Sequence, residues 1–155
     1  MSASLPVVRY ADAGSTVLGR YPTTAVQPVP AGSRSPFTQG FARGLGVTEQ
    51  VVSPTFTLAR QYDGTALRLN HLDVYRLDHL QEIVDLGIHE LADEDAVAVI
   101  EWGDMAEPVL PKDFLEVRLT YGEVDDVRHL ELRAVGASWA ARATALQRAL
   151  ERWTS

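Results

Sequence analysis

The 155-residue chain contains no cysteine, so disulfides, zinc–cysteine sites and thiol nucleophiles are excluded. It also lacks any apolar run approaching the ~20 residues a membrane helix needs, and no basic-then-apolar signal opens it. The expected compartment is therefore the cytoplasm, with no membrane partner. A third deficit is positive charge. The formal net charge is −7, which argues against a large standalone nucleic-acid surface, because phosphate backbones are held by arginine and lysine. His79, His89 and His129 have no metal-like spacing to acidic partners and read as surface residues. Nothing in the bulk composition is unusual: 46% apolar and 23% charged residues at this length fit one domain, residues 1–155, around a single core. No internal repeat or domain linker is visible.

Residues 1–13 are weakly patterned. Residues 14–36 are atypical: they hold Pro22, Pro28, Pro30 and Pro36, and no acidic residue occurs between Asp12 and Glu49. The Pro-x-Pro spacing forbids both a regular helix and a central strand there. Regular patterning starts at Phe37. Phe37, Phe41 and Leu45 recur at helical spacing, Pro36 suits the first turn and Gly46 closes the helix. Phe56–Tyr62 and Ala66–Leu72 read as strands around an Asp63-Gly64 turn. Asp78–Leu91 reads as a helix with Asp78 as its N-cap. Val97–Ile100 is wholly apolar, as a buried central strand should be. Phe114–Tyr121 and Val127–Val135 alternate and form a second hairpin through Gly122–Asp126, and Ala137–Trp153 is a closing helix.

Three polar motifs stand beside these apolar runs. In Ser53-Pro-Thr-Phe56 the proline ring fixes the local backbone, so Thr55 presents its hydroxyl at a set angle. Such a hydroxyl can ligate magnesium, or the segment can be a plain turn. His71-Leu-Asp-Val-Tyr-Arg76 leaves the end of a strand, where α/β sheets place ligand chemistry. Asp73 offers a hard oxygen for magnesium; alternatively Asp73 and Arg76 form an ion pair while His71 and Tyr75 pack. Glu101-Trp102 ends the apolar strand. A carboxylate there suits the positioning of a water or a metal-bound water, and Trp102 can stack on a base or fill the core edge.

In this order, the three motifs resemble the switch loop, metal-site aspartate and Walker-B-like segment of the TsaE family, the P-loop ATPase of bacterial tRNA threonylcarbamoyladenosine synthesis. Gly40-Phe-Ala-Arg-Gly-Leu-Gly46 before them and Leu110-Pro111 after them are similar to the family too, and the resemblance covers residues 37–135. It implies an α/β fold, a P-loop NTPase-like sheet flanked by helices, with antiparallel hairpins. It implies ATP and Mg2+ as cofactors, with Asp73 and Glu101 catalytic. Arg34, Ser35, Thr55 and Trp102 would bind the nucleotide, and Ser35, Thr55 and Asp73 the metal. The implied partners are the proteins of the threonylcarbamoyl-transfer complex, with tRNA met only indirectly.

One family element is degraded. A Gly-x-x-x-x-Gly-Lys-Thr loop should precede the helix at Phe37. Counted back without gaps, the chain has Pro28-Val-Pro-Ala-Gly-Ser-Arg-Ser35. Such a loop cradles phosphates with consecutive backbone N–H groups and needs glycine where a side chain would collide. Pro28 and Pro30 donate nothing, Ser33 adds a Cβ, and Arg34 keeps charge without lysine's compact ammonium. Ser35 alone retains a magnesium-capable hydroxyl. Either the segment is a diverged loop, or residues 14–36 are read from a shifted frame. The corresponding functional alternatives are an ATPase subunit and a non-catalytic adaptor that keeps the partner surface. An unrelated small kinase is disfavoured by the lack of an arginine-rich lid.

Overall fold

The computed structural model describes residues 7–11, 15–17, 36–54, 56–75, 77, 80–85, 87, 91, 95–103, 106–121 and 128–151. The fold is mixed α/β, as the sequence implies.

The two strands that organise the site are β4 (Arg68–Asp73) and β5 (Ala96–Glu101). Every residue of β5 is buried, as expected of a strand covered on both faces. The two run parallel, in register from Arg68 opposite Ala96 to Asp73 opposite Glu101. Side chains alternate between faces. Leu69, His71 and Asp73 therefore share one face with Val97, Val99 and Glu101, while Leu72, Ala98 and Ile100 take the other.

β3 (Ala59–Tyr62) extends the sheet antiparallel to β4. On the far side of β5, β1 (Val7–Ala11) runs parallel to both β5 and β6 (Phe114–Tyr121). The short β2 (Ser15–Val17) pairs antiparallel with the same two strands. β7 (Arg128–Val135) closes a long hairpin with β6, from Phe114 opposite Val135 to Tyr121 opposite Arg128. A seven-stranded sheet results.

The face carrying Val97 and Val99 is covered by α1 (Pro36–Gly44), which inserts Phe37, Phe41 and Ala42, with Leu45 just beyond it, into a core with Leu115, Val117 and Trp139. α1 ends in a Schellman motif: Val47 N–H donates to Ala42 O at 3.0 Å and Gly46 N–H to Arg43 O at 3.0 Å. Gly46 takes φ +81° there. The opposite face builds a second core from Leu72, Val74, Leu77, Ala98, Ile100, Ala106, Leu110 and Phe114. α2 (Leu80–Asp85), a 3-10 turn (Glu107–Val109), α3 (Ala137–Ala140) and α4 (Ala143–Leu150) complete the described elements.

Four local expectations change. The strand expected from Phe56 begins at Ala59, because Thr57 and Leu58 N–H both donate to Pro54 O and close a turn. The helix expected over 78–91 is interrupted: Leu80–Asp85 is helical, Gly87 takes φ +62°, and Leu91 is helical again, its N–H donating to Gly87 O at 3.2 Å; the expected cap, Asp78, lies outside the described residues. The closing helix is broken after Ala140, where Arg142 N–H bonds back three residues to Trp139 O. Finally, strands occur where none was expected: Val7–Ala11, from a stretch read as weakly patterned, lies beside β5, and Ser15–Val17, in the stretch from which a central strand is excluded on its prolines, pairs with both β5 and β6.

Candidate functional site

Asp73 and Glu101 are the last residues of β4 and β5 and face each other in register. Adjacent strands lie about 4.8 Å apart, so the sheet alone brings the two carboxylates together. Both are buried, at 7% and 8% exposure. Carboxylates removed from water need polar partners, and both have them.

Asp73 is held by two connections, the one between α1 and β3 and the one that follows β4. Its Oδ2 accepts from Ser53 Oγ at 2.9 Å, and its Oδ1 accepts from Tyr75 N–H at 3.1 Å. Its own N–H donates to Leu58 O at 2.9 Å. Glu101 Oε1 accepts from Thr38 Oγ1 at 3.1 Å, which ties the first turn of α1 to the end of β5. The same oxygen lies 3.0 Å from His71 Nε2. His71 is fully buried, and neither of its ring nitrogens is aligned for a hydrogen bond. The 3.0 Å contact is therefore a close approach of Nε2 to the carboxylate oxygen with the ring tilted off the hydrogen-bond line.

Backbone strain brackets the pair. Trp102, directly after Glu101, has φ +63°, and Leu58, whose carbonyl receives the Asp73 N–H, has φ +61°. Bulky residues in this region cost about 1–3 kcal/mol each and cluster where function fixes the backbone. The Trp102 ring meets Tyr75 at 4.5 Å between centroids and 42° between planes. It packs against the second core, on the opposite face of the sheet from the carboxylates. Of the residues singled out in sequence, Asp73 and Glu101 are brought together and Trp102 sits beside them across the sheet. Arg34, Ser35 and Thr55 lie outside the described residues, as does Arg76.

Three contributors were not singled out. Thr38 is a hydroxyl on the inward face of α1, between Phe37 and Phe41, and a polar residue in that apolar stripe was its signal. Ser53 was read as a turn residue, and His71 was given only a packing role.

The donor set is all oxygen apart from one imidazole, which suits a hard cation. Among the described residues no group of three or more His, Cys, Asp or Glu could hold a metal unaided. Magnesium fits this restriction, since it is usually bound through one or two carboxylates plus phosphate oxygens and water.

A profile of the family described as threonylcarbamoyl adenosine biosynthesis protein TsaE matches residues 30–130. A Bacillus subtilis protein named tRNA threonylcarbamoyladenosine biosynthesis protein TsaE is 40% identical over 103 residues, 66% of this chain and 63% of its own length. Proteins of the same name from Treponema pallidum and Streptomyces coelicolor are 41% and 37% identical, over 63% and 69% of this chain and 74% and 76% of theirs. The chain thus spans under two thirds of the Bacillus subtilis relative. The crystal structure of Bacillus subtilis YdiB is similar with a TM-score of 0.55 and 31% identity, over 72% of this chain and 67% of that one. Among the described residues no helix is long and apolar enough to cross a membrane.

Proposed function

The chain belongs to the TsaE family, and on that premise we propose that it is the nucleotide-binding subunit of tRNA threonylcarbamoyladenosine biosynthesis, a P-loop-type ATPase with a weakened phosphate loop. One observation carries the reading: buried Asp73 and Glu101 stand in register at the carboxyl ends of neighbouring parallel strands, with the first turn of α1 bonded to one of them. Ligands of α/β sheets bind at the carboxyl ends of strands, and the N-terminus of a helix favours a phosphate.

In this reading the roles divide as follows. Asp73, oriented by Ser53 and the Tyr75 N–H, holds magnesium, directly or through water. Glu101 positions the attacking water. Magnesium, when bound, neutralises the charge that develops on the transferring phosphate. Arg34, Ser35 and Thr55 complete the nucleotide contacts, and the Tyr75–Trp102 pair offers an aromatic surface for a base. The net negative charge supports contact with tRNA through partner proteins rather than directly.

The experiment is a calorimetric titration with magnesium-ATP. It compares the chain with a variant carrying Pro28→Gly, Pro30→Ala, Ser33→Gly, Arg34→Lys and Ser35→Thr. Each missing bond to a charged phosphate forfeits roughly 1.5–3 kcal/mol, and about 1.4 kcal/mol is tenfold in affinity. The loop-restored protein should therefore bind at least a hundredfold tighter. Equal affinities would refute the account of the loop. Failure of both to bind would favour the adaptor reading, which the proline-rich segment 28–35 also supports.

A further inference from the structure

We propose that His71 is a positioning residue that, with Thr38, holds the Glu101 carboxylate in one orientation at the end of β5. The inference rests on Glu101 being the acidic residue of the nucleotide site proposed above. His71 lies on β4 opposite Val99, on the same face as Glu101 and diagonal to it. Its Nε2 and the Thr38 hydroxyl approach the same carboxylate oxygen, Oε1, at 3.0 and 3.1 Å. The two groups come from different elements, a strand and a helix. A glutamate has three rotatable side-chain bonds, so contacts from two directions restrict it far more than either alone.

Packing alone does not account for a histidine here. Its neighbours on this face are Leu69, Val97 and Val99, among which leucine would fill a similar volume without polar atoms. A fully buried imidazole with neither nitrogen aligned for a hydrogen bond destabilises the fold relative to such a replacement. Something other than core filling must keep it, and among the described residues its close polar approach is to Glu101. Contacts of this kind tighten when ligand closes a site, and a small ring rotation would align Nε2 with Oε1.

The test uses the full chain with His71→Leu, His71→Met, His71→Gln and Thr38→Val. Each is read by thermal melting and by the 13C signal of the Glu101 carboxylate, assigned with Glu101→Gln and recorded without nucleotide. His71→Leu should melt at or above the parent temperature while its Glu101 signal moves or doubles. His71→Gln, which keeps an N–H donor, should hold the signal near its original position, and Thr38→Val should disturb it with His71 intact. An unmoved Glu101 signal in folded His71→Leu would overturn the proposal and leave His71 as core filler. If that variant does not fold, His71→Met decides by the same criterion. In the loop-restored protein, His71→Leu should lower kcat by about 10- to 100-fold, the range for residues that orient a functional group, with KM nearly unchanged. Absence of nucleotide binding in the parent proteins would remove the functional reading, whereas the carboxylate signal would still decide the positioning role.

Discussion

Asparagine should satisfy the immediate neighbours of Asp73 almost as well as aspartate does. Tyr75 N–H needs an acceptor at Oδ1, and the Ser53 hydroxyl can turn from donating to accepting when it meets an amide. What asparagine removes is the charge. Asp73→Asn is therefore expected to melt within a few degrees of the parent while magnesium no longer strengthens nucleotide binding to the loop-restored protein. Asp73→Ala, which removes the acceptor of the Ser53 hydroxyl and of the Tyr75 N–H, should lose about 1–3 kcal/mol of stability in all. Paired thermal scans and titrations with and without magnesium check both; an Asp73→Asn protein that retains its magnesium dependence would remove Asp73 from the metal site. Asp73 and Glu101 were legible in sequence because each stands at the end of a segment that reads as a strand, wholly apolar in the case of Val97–Ile100. Thr38, Ser53 and His71 were not, because their partners lie 63, 20 and 30 positions away in the chain, and only the sheet register and the seating of α1 bring them together.

The elements set that register, and α1 is the one that carries Thr38 to Glu101. Its seating depends on how it ends. Gly46 occupies φ +81°, and a Cβ there would lie 2.0 Å from Thr65 Oγ1. The left-handed backbone alone costs a non-glycine residue about 1–2 kcal/mol, and the contact adds to it. Gly46→Ala should lower the melting temperature by several degrees, at roughly 2–4 °C per kcal/mol for a domain of this size. An unchanged midpoint in calorimetry would show that the cap does not anchor the helix. Elements with strong periodicity were read well. β6 was placed at Phe114–Tyr121 and its partner within one residue, since alternation over eight residues fixes both strand and face. α1 and β5 were equally clear. The expected 137–153 helix was read as continuous because Ala, Leu and Arg all favour helix. The break after Ala140 comes from tertiary anchoring: Trp139 is buried at 2% exposure while α4 has no buried residue. β1 was missed because five residues without alternation give no period to read, and its pairing with β5 and β6 is entirely non-local.

At the scale of the whole molecule, a mixed sheet with α1 on one face and a second core on the other places every described site residue at one end of β4 and β5. The family match begins at residue 30, inside the proline-rich stretch, so the central question is how far this carboxylate site still serves the family's biosynthetic role. The most direct measurement is the threonylcarbamoyladenosine content of tRNA, by mass spectrometry of nucleoside digests, in bacteria depleted of their own family member. Three proteins are expressed in turn: the chain, the loop-restored chain, and the loop-restored chain with Glu101→Gln. The account predicts weak restoration by the first, full restoration by the second and loss again in the third. Full restoration by the Glu101→Gln protein, or none by the loop-restored chain, would contradict it.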